Sequence, residues 1–174
     1  FYATGLHVSE GKVITPLNLA DYKKERESEF TPNFYLKPNG VFFVRPDKSA
    51  GVLESKRFSQ ANETVELATQ SGPLLVEEGR IHPILSPTSE SKRIRNGVGV
   101  DREGNVIFAS SIWDPVKGIT NLYHFAEFFR DRLNCPNTLY LDGDISYIYI
   151  RGETKPIQDT NRFAGILAIT EPVP

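Results

Sequence analysis

The stretch ITNLYHFAEFFRDRLNCPNTLYLDGDISYIYI, residues 119–150, sets two periodicities side by side. In its first half Leu122, Phe125, Ala126, Phe129 and Leu133 recur at helical offsets and draw one apolar stripe. The spacing predicts a long amphipathic helix over 119–133, with Thr120 or Asn121 as N-cap and Arg130 and Arg132 at the negative end of its dipole. In its second half Tyr and Ile alternate as half-buried strands require, and Asp142-Gly143-Asp144 folds them into a hairpin over 138–150.

Working outward, short apolar runs punctuated by Gly, Pro, Asn and Asp dominate the remainder, the pattern of strands and turns. Strands are expected at 4–9, 33–36, 40–44, 65–69, 73–79, 97–100, 105–110, 138–142, 146–150 and 164–170. The charged LADYKKERESEF (19–30) reads as weakly helical or irregular and as a solvated face. Many strands with one strong helix give an α+β fold: a β-rich single domain with mixed sheets and the helix 119–133 before a strand hairpin. The 174 residues suit one domain, and no internal repeat or linker divides them.

A formal net charge of −2 excludes a generic nucleic-acid backbone binder, which needs a basic surplus. No run of about 18 apolar residues is present to span a membrane. The single cysteine, Cys135, has no partner for an internal disulfide and reads as a buried small hydrophobe. The chain opens on Phe1 rather than Met, so an N-terminal segment is expected to be missing.

No P-loop, GxGxxG, GxSxG, CxxC or HExxH pattern occurs, and the histidines His7, His82 and His124 are scattered. His124 falls on the helix and reads as structural, whereas His82 follows a Gly turn among polar neighbours and is a site candidate. Three local patterns carry the remaining candidates. KPNGVFFV offers a tight turn at Asn39-Gly40, and ATQSGPLLVEEG breaks two apolar strands with Gln70, Ser71 and Gly72. RIRNGVGV places two arginines, Arg93 and Arg95, with Asn96 before a Gly-rich strand, and Arg is the side chain shaped to clamp a phosphate or carboxylate. Taken singly, each is adequately explained as turn chemistry.

In order, NFYLKPNGVFFV, ATQSGPLLVEEGRIHP, RIRNGVGV and NLYHFAEFFRDRLNCPNTLYLDG closely resemble the phosphodiester glycosidase family, above all its bacterial branch of mostly envelope proteins. The resemblance runs from about Gly5 to Thr170. It implies a hydrolase acting on a sugar–phosphate diester, a carbohydrate or sugar–phosphate polymer as partner, and a periplasmic or secreted location. Where the family usually has Gly or Ser after its LDG, this chain has Asp144, while Ser146 is kept.

Cleaving a sugar from a phosphodiester releases a stable phosphate anion, so a general acid matters less than in ordinary glycoside hydrolysis. A carboxylate at the anomeric carbon and a cradle for the departing phosphate are still required. The resemblance casts Asp142 as the essential carboxylate and Arg95 as the phosphate partner. It casts Asn39, Gln70, Asn96, His82 and Ser146 as polar neighbours of substrate, with Gly40, Ser71, Gly72 and Gly143 permitting close approach. Asp144 is either a second carboxylate of the site or a solvated turn residue. Asp142 and Asp144 together could hold a divalent cation through oxygen, but no further ligand cluster supports one and no cofactor is expected. Two other readings compete. One is a non-catalytic carbohydrate-binding module on the same scaffold. The other takes DGD as the D-x-D of a metal-dependent glycosyltransferase, whose nucleotide-binding half with alternating helices is missing here.

Overall fold

The computed structural model describes residues 3–111, 118–143, 148–152 and 167–170. Among the described residues ten strands form two five-stranded sheets. Sheet one comprises β1 (His7–Ser9), β2 (Lys12–Thr15), β3 (Gly40–Val44), β4 (Ala50–Glu54) and β5 (Leu67–Ser71), in the order β2-β1-β5-β3-β4. Sheet two comprises β6 (Leu74–Glu77), β7 (Arg80–Ile81), β8 (Asn96–Val100), β9 (Val106–Ser110) and β10 (Asn137–Asp142), in the order β7-β6-β10-β8-β9.

The sheets stack face to face because each strand has an apolar side to hide. Phe42 and Val52 of sheet one meet Leu74, Val98 and Leu139 of sheet two in a shared core. The rings of Phe42 and Phe108 cross it edge to face at 5.8 Å. The outer faces are apolar as well, which is why GVFFV reads as an unbroken apolar run. Val41 and Phe43 pack outward under Phe58 of helix α1 (Ser55–Ala61), while Leu75 and Tyr140 pack outward under helix α2 (Leu122–Glu127). The order of layers is helix, sheet, sheet, helix.

The glycines of NGVGV let α2 press onto sheet two. A Cβ at Gly97 would stand 3.1 Å from both Phe125 and Phe129, and one at Gly99 would stand 2.8 Å from the Cys135 sulfur. Their absence of side chain thus serves helix packing, and Cys135 is fully buried there as expected. Its Sγ donates to the Leu133 carbonyl, and burial pushes the thiol up to about 11.

Three expectations need correction. Every strand pairing among the described residues is antiparallel, so the sheets are not mixed. The expected fifteen-residue helix is shorter, a six-residue α-helix followed by a five-residue π turn, Phe128–Arg132. It starts late because the Asn121 side chain caps it by accepting from the His124 amide at 2.9 Å, while Thr120 is bridged to Arg93 outside it. It ends early because the Leu133 amide reaches back five residues to the Phe128 carbonyl, which widens the last turn. The apolar stripe itself is in place, with Phe125, Ala126 and Phe129 buried. Finally, Asn33–Tyr35 forms a 3₁₀ turn rather than a strand. The expected strand 146–150 is described only at 148–150 and the expected strand 164–170 only at 167–170, and neither portion is a strand.

Candidate functional site

The chain crosses from sheet one to sheet two at the QSGP corner, where β5 ends at Ser71 and β6 begins at Leu74. Strand β10 is tied to that corner twice. The Ser71 hydroxyl donates to the Leu141 carbonyl at 2.9 Å, and the Tyr140 amide donates to the Pro73 carbonyl at 3.2 Å. The register places Gly40 beside Ser71 in sheet one and Asp142 beside Asn96 in sheet two. The QSG corner, the PNG turn, the RN pair and the LDG turn therefore gather at one end of the stack.

In sheet one the candidates are tightly committed to the fold. Gln70 Oε1 accepts from the amides of Leu6 at 3.0 Å and Asn18 at 2.9 Å, and its Nε2 donates to the Asn18 carbonyl at 2.7 Å and Ser55 Oγ at 3.0 Å. That amide is fully used in pinning the 4–18 segment to the sheet. Buried Asn39 likewise donates to the Phe34 carbonyl at 2.9 Å. At Gly72 a Cβ would lie 2.8 Å from both Asn39 Cβ and the Phe34 carbonyl, and at Gly40 it would lie 2.7 Å from Leu74. Both glycines are demanded by close packing at the corner.

In sheet two, Arg95 is 4% exposed, and each nitrogen of its guanidinium already donates to the protein. Nε reaches the Thr120 carbonyl at 3.3 Å, Nη1 the Tyr140 hydroxyl at 3.2 Å, and Nη2 the Ser91 carbonyl at 2.8 Å. Among the described residues no carboxylate forms an ion pair with it. Holding a buried cation with neutral acceptors is costly, and among the described residues the acceptors that meet Arg95 are neutral. Asn96 is 2% exposed; its Nδ2 makes a long 3.5 Å approach to the Gly143 carbonyl, and its Oδ1 accepts from no donor among the described residues. A buried acceptor without a donor is uncommon in a native fold.

Half-buried Asp142 follows a bulge in β10, where the ladder passes from Tyr140 opposite Gly97 to Asp142 opposite Asn96 and skips Leu141. One carboxylate oxygen accepts from the Gly143 amide at 2.6 Å. Gly143 has no room for a side chain, since a Cβ would stand 2.7 Å from the Tyr140 hydroxyl and 2.9 Å from the Ile94 carbonyl.

His82 joins none of these hydrogen bonds. Its Nδ1 accepts from the Ile84 amide at 3.1 Å, its Nε2 is buried with no well-formed hydrogen bond among the described residues, and burial lowers its pKa. Asp144 and Ser146 lie outside the described residues, and with them any pairing of Asp142 and Asp144 around a cation. Among the described residues no three His, Cys, Asp or Glu side chains gather, and no helix is long and apolar enough to cross a membrane. Sequence reasoning passed over Tyr140, Ser91 and Thr120, the residues that hold Arg95. Tyr140 carries the only signal of the three, a phenol directly beside LDG.

The model of the phosphodiester glycosidase family matches residues 2–169. The uncharacterized protein YigE of Escherichia coli (strain K12) is 38% identical over 154 residues, covering 88% of this chain and 55% of its own length. The solved catalytic domain of zebrafish N-acetylglucosamine-1-phosphodiester alpha-N-acetylglucosaminidase, auto-inhibited by pro-peptide, superposes with a TM-score of 0.51. It shares 22% identity over 82% of this chain and 48% of that one, a likeness of fold. The chain thus spans about half the length of each.

Proposed function

Because the chain belongs to the phosphodiester glycosidase family, we propose that it hydrolyses the bond between a sugar and the phosphate of a sugar–phosphate diester, on a glycan or cell-envelope polymer outside the cytoplasm. Water adds to the anomeric carbon, the carbon–oxygen bond to phosphate breaks, and the phosphate monoester departs with the electron pair. Asp142 acts at the anomeric carbon, as nucleophile, as base, or by stabilising the oxocarbenium-like state. Arg95, whose nitrogens are engaged by the protein, favours the departing phosphate through its desolvated charge rather than through a two-pronged clamp. Asn96 Oδ1 is the acceptor open to a substrate hydroxyl or amide.

The observation that carries this reading is the convergence of the LDG turn, the RN pair and the QSG corner, tied together by the bond from Ser71 to Leu141. The test is hydrolysis of chromogenic sugar-1-phosphodiesters by the full-length protein and by Asp142→Asn. Turnover lost in Asp142→Asn at unchanged melting temperature supports it; a full-length protein inactive on a broad panel of such diesters sinks it.

A second reading, a carbohydrate-binding module without turnover, is favoured by the commitment of Gln70 and Arg95 to bonds within the protein. Calorimetric binding of envelope polymer that persists with no product released would select it.

A further inference from the structure

We propose that Tyr140 is a positioning residue of this site, transmitting the charge of Arg95 to the Asp142–Gly143 turn; the proposal rests on the function given above. Tyr140 lies on the helix-facing side of β10, and only 3% of it is exposed. Its hydroxyl accepts from Arg95 Nη1 at 3.2 Å, and the guanidinium carbon stands 5.6 Å from its ring centre. The same hydroxyl fills the space where a Gly143 side chain would begin, 2.7 Å from an ideal Cβ. Tyr140 is thus the physical link between the buried cation and the turn that carries Asp142.

Three considerations give that link a role beyond packing. A hydrogen bond from a charged donor is stronger than a neutral one, and in a desolvated setting it is felt at longer range. A phenol that accepts from a guanidinium keeps its own proton for a separate acceptor and is polarised as a donor. Finally, among the described residues the other bonds of Arg95 run to the loops at Ser91 and Thr120. Without the hydroxyl, the remaining bonds of the cation anchor loops, while the turn is reached by Asn96 at a long 3.5 Å and by the bond of Ser71 to Leu141.

Tyr140→Phe removes the hydroxyl and keeps the ring, which packs with Leu75, Phe125 and Phe129. Two measurements on the full-length protein decide the matter. The first is low-temperature nitrogen-15 NMR of the Arg95 Nη–H protons, assigned by their loss in Arg95→Lys, with their exchange rate compared in wild type and Tyr140→Phe. Faster exchange in the variant supports coupling between the two side chains; an unchanged rate overturns it. This readout needs no turnover, so it stands even if the hydrolase reading fails.

The second is kinetics on a sugar-1-phosphodiester. We expect kcat of Tyr140→Phe to fall about 10- to 100-fold with KM within about 3-fold of wild type, as for loss of a preorganised donor network. Arg95→Lys and Tyr140→Phe should be strongly non-additive, the double variant falling no more than about 3-fold below the worse single one. A KM effect with kcat unchanged would make Tyr140 a substrate contact and overturn the proposal, as would full additivity. Should Tyr140→Phe melt early, Gly143→Ala provides the same test by pushing the hydroxyl away: it must lower kcat in a Tyr140 background, and an undiminished kcat refutes the link.

Discussion

The hydroxyl of Ser71 and the carbonyl of Leu141, seventy residues apart, meet at 2.9 Å across the two sheets. Ser71 is the last residue of β5, and Leu141 is the bulged residue before Asp142. The bond therefore fixes the height of the LDG turn relative to the QSG corner. Ser71→Ala should cost about 1–2 kcal/mol, a fall of roughly 2–8 °C in Tm. Activity in Ser71→Ala should drop more than in a surface control of equal stability, because β10 loses its register at the turn. Melting curves read beside kcat/KM check both halves.

Asn96 Oδ1 is a buried acceptor with no donor among the described residues. If a substrate hydroxyl or amide supplies one, Asn96→Ala should raise KM or lower kcat/KM by about 10-fold, the value of one neutral hydrogen bond. A substrate analogue lacking that donor should then bind wild type and variant equally, which inhibition constants would show.

Burial lowers the pKa of His82 in the folded state. Its ordinary value near 6.5 holds in the unfolded chain, so below that pH the unfolded state takes up the proton more readily. The stability tied to neutral His82 is complete above about pH 6.5 and is lost as pH falls from there toward the folded pKa. His82→Asn keeps an acceptor for the Ile84 amide and removes the titration. Urea unfolding at pH 8 and pH 5 should therefore show a steeper loss in wild type than in His82→Asn; equal slopes would dismiss the effect.

Cys135 is buried beneath α2 against Gly99, with its thiol pushed up to about 11. In the native state it should resist iodoacetamide at pH 8, and its labelling should track global unfolding in denaturant. Gly99→Ala drives a methyl toward that sulfur and should destabilise by about 1–3 kcal/mol through overpacking. Labelling in Gly99→Ala should accordingly begin at lower denaturant.

The parts of the fold that the sequence made legible are those where one surface of an element is apolar. The stripe from Leu122 to Phe129 falls in this class, whereas Asn137–Asp142 was legible as an apolar run between turn residues. Strand β2 did not show itself because Lys12, Val13 and Ile14 are all exposed at a sheet edge, so no alternation marks them. Helix α1 escaped because only Phe58 of SKRFSQA packs on the core cluster beneath it. At the site, the gathering of four distant motifs followed from their order in a known family, not from any local signal. Gln70 shows the limit: its type suggested a sugar contact, yet Leu6, Asn18 and Ser55 use its amide completely. Tyr140 shows the converse, since alternation explains a strand aromatic fully and its bond to Arg95 spans 45 positions.

The place of β10 also bears on how the chain acquires its shape as it leaves the ribosome. Sheet one is assembled from residues 7–71, but in sheet two β10 lies between β6 and β8, which have no contact with each other in the ladder. Until residues 137–142 emerge, β6 and β8 each present an unsatisfied edge and an apolar face. Sheet two must therefore close late, in a step of high contact order, with β6 and β8 waiting for a partner made after both. That interval is the time when a nascent chain of this fold most needs a chaperone.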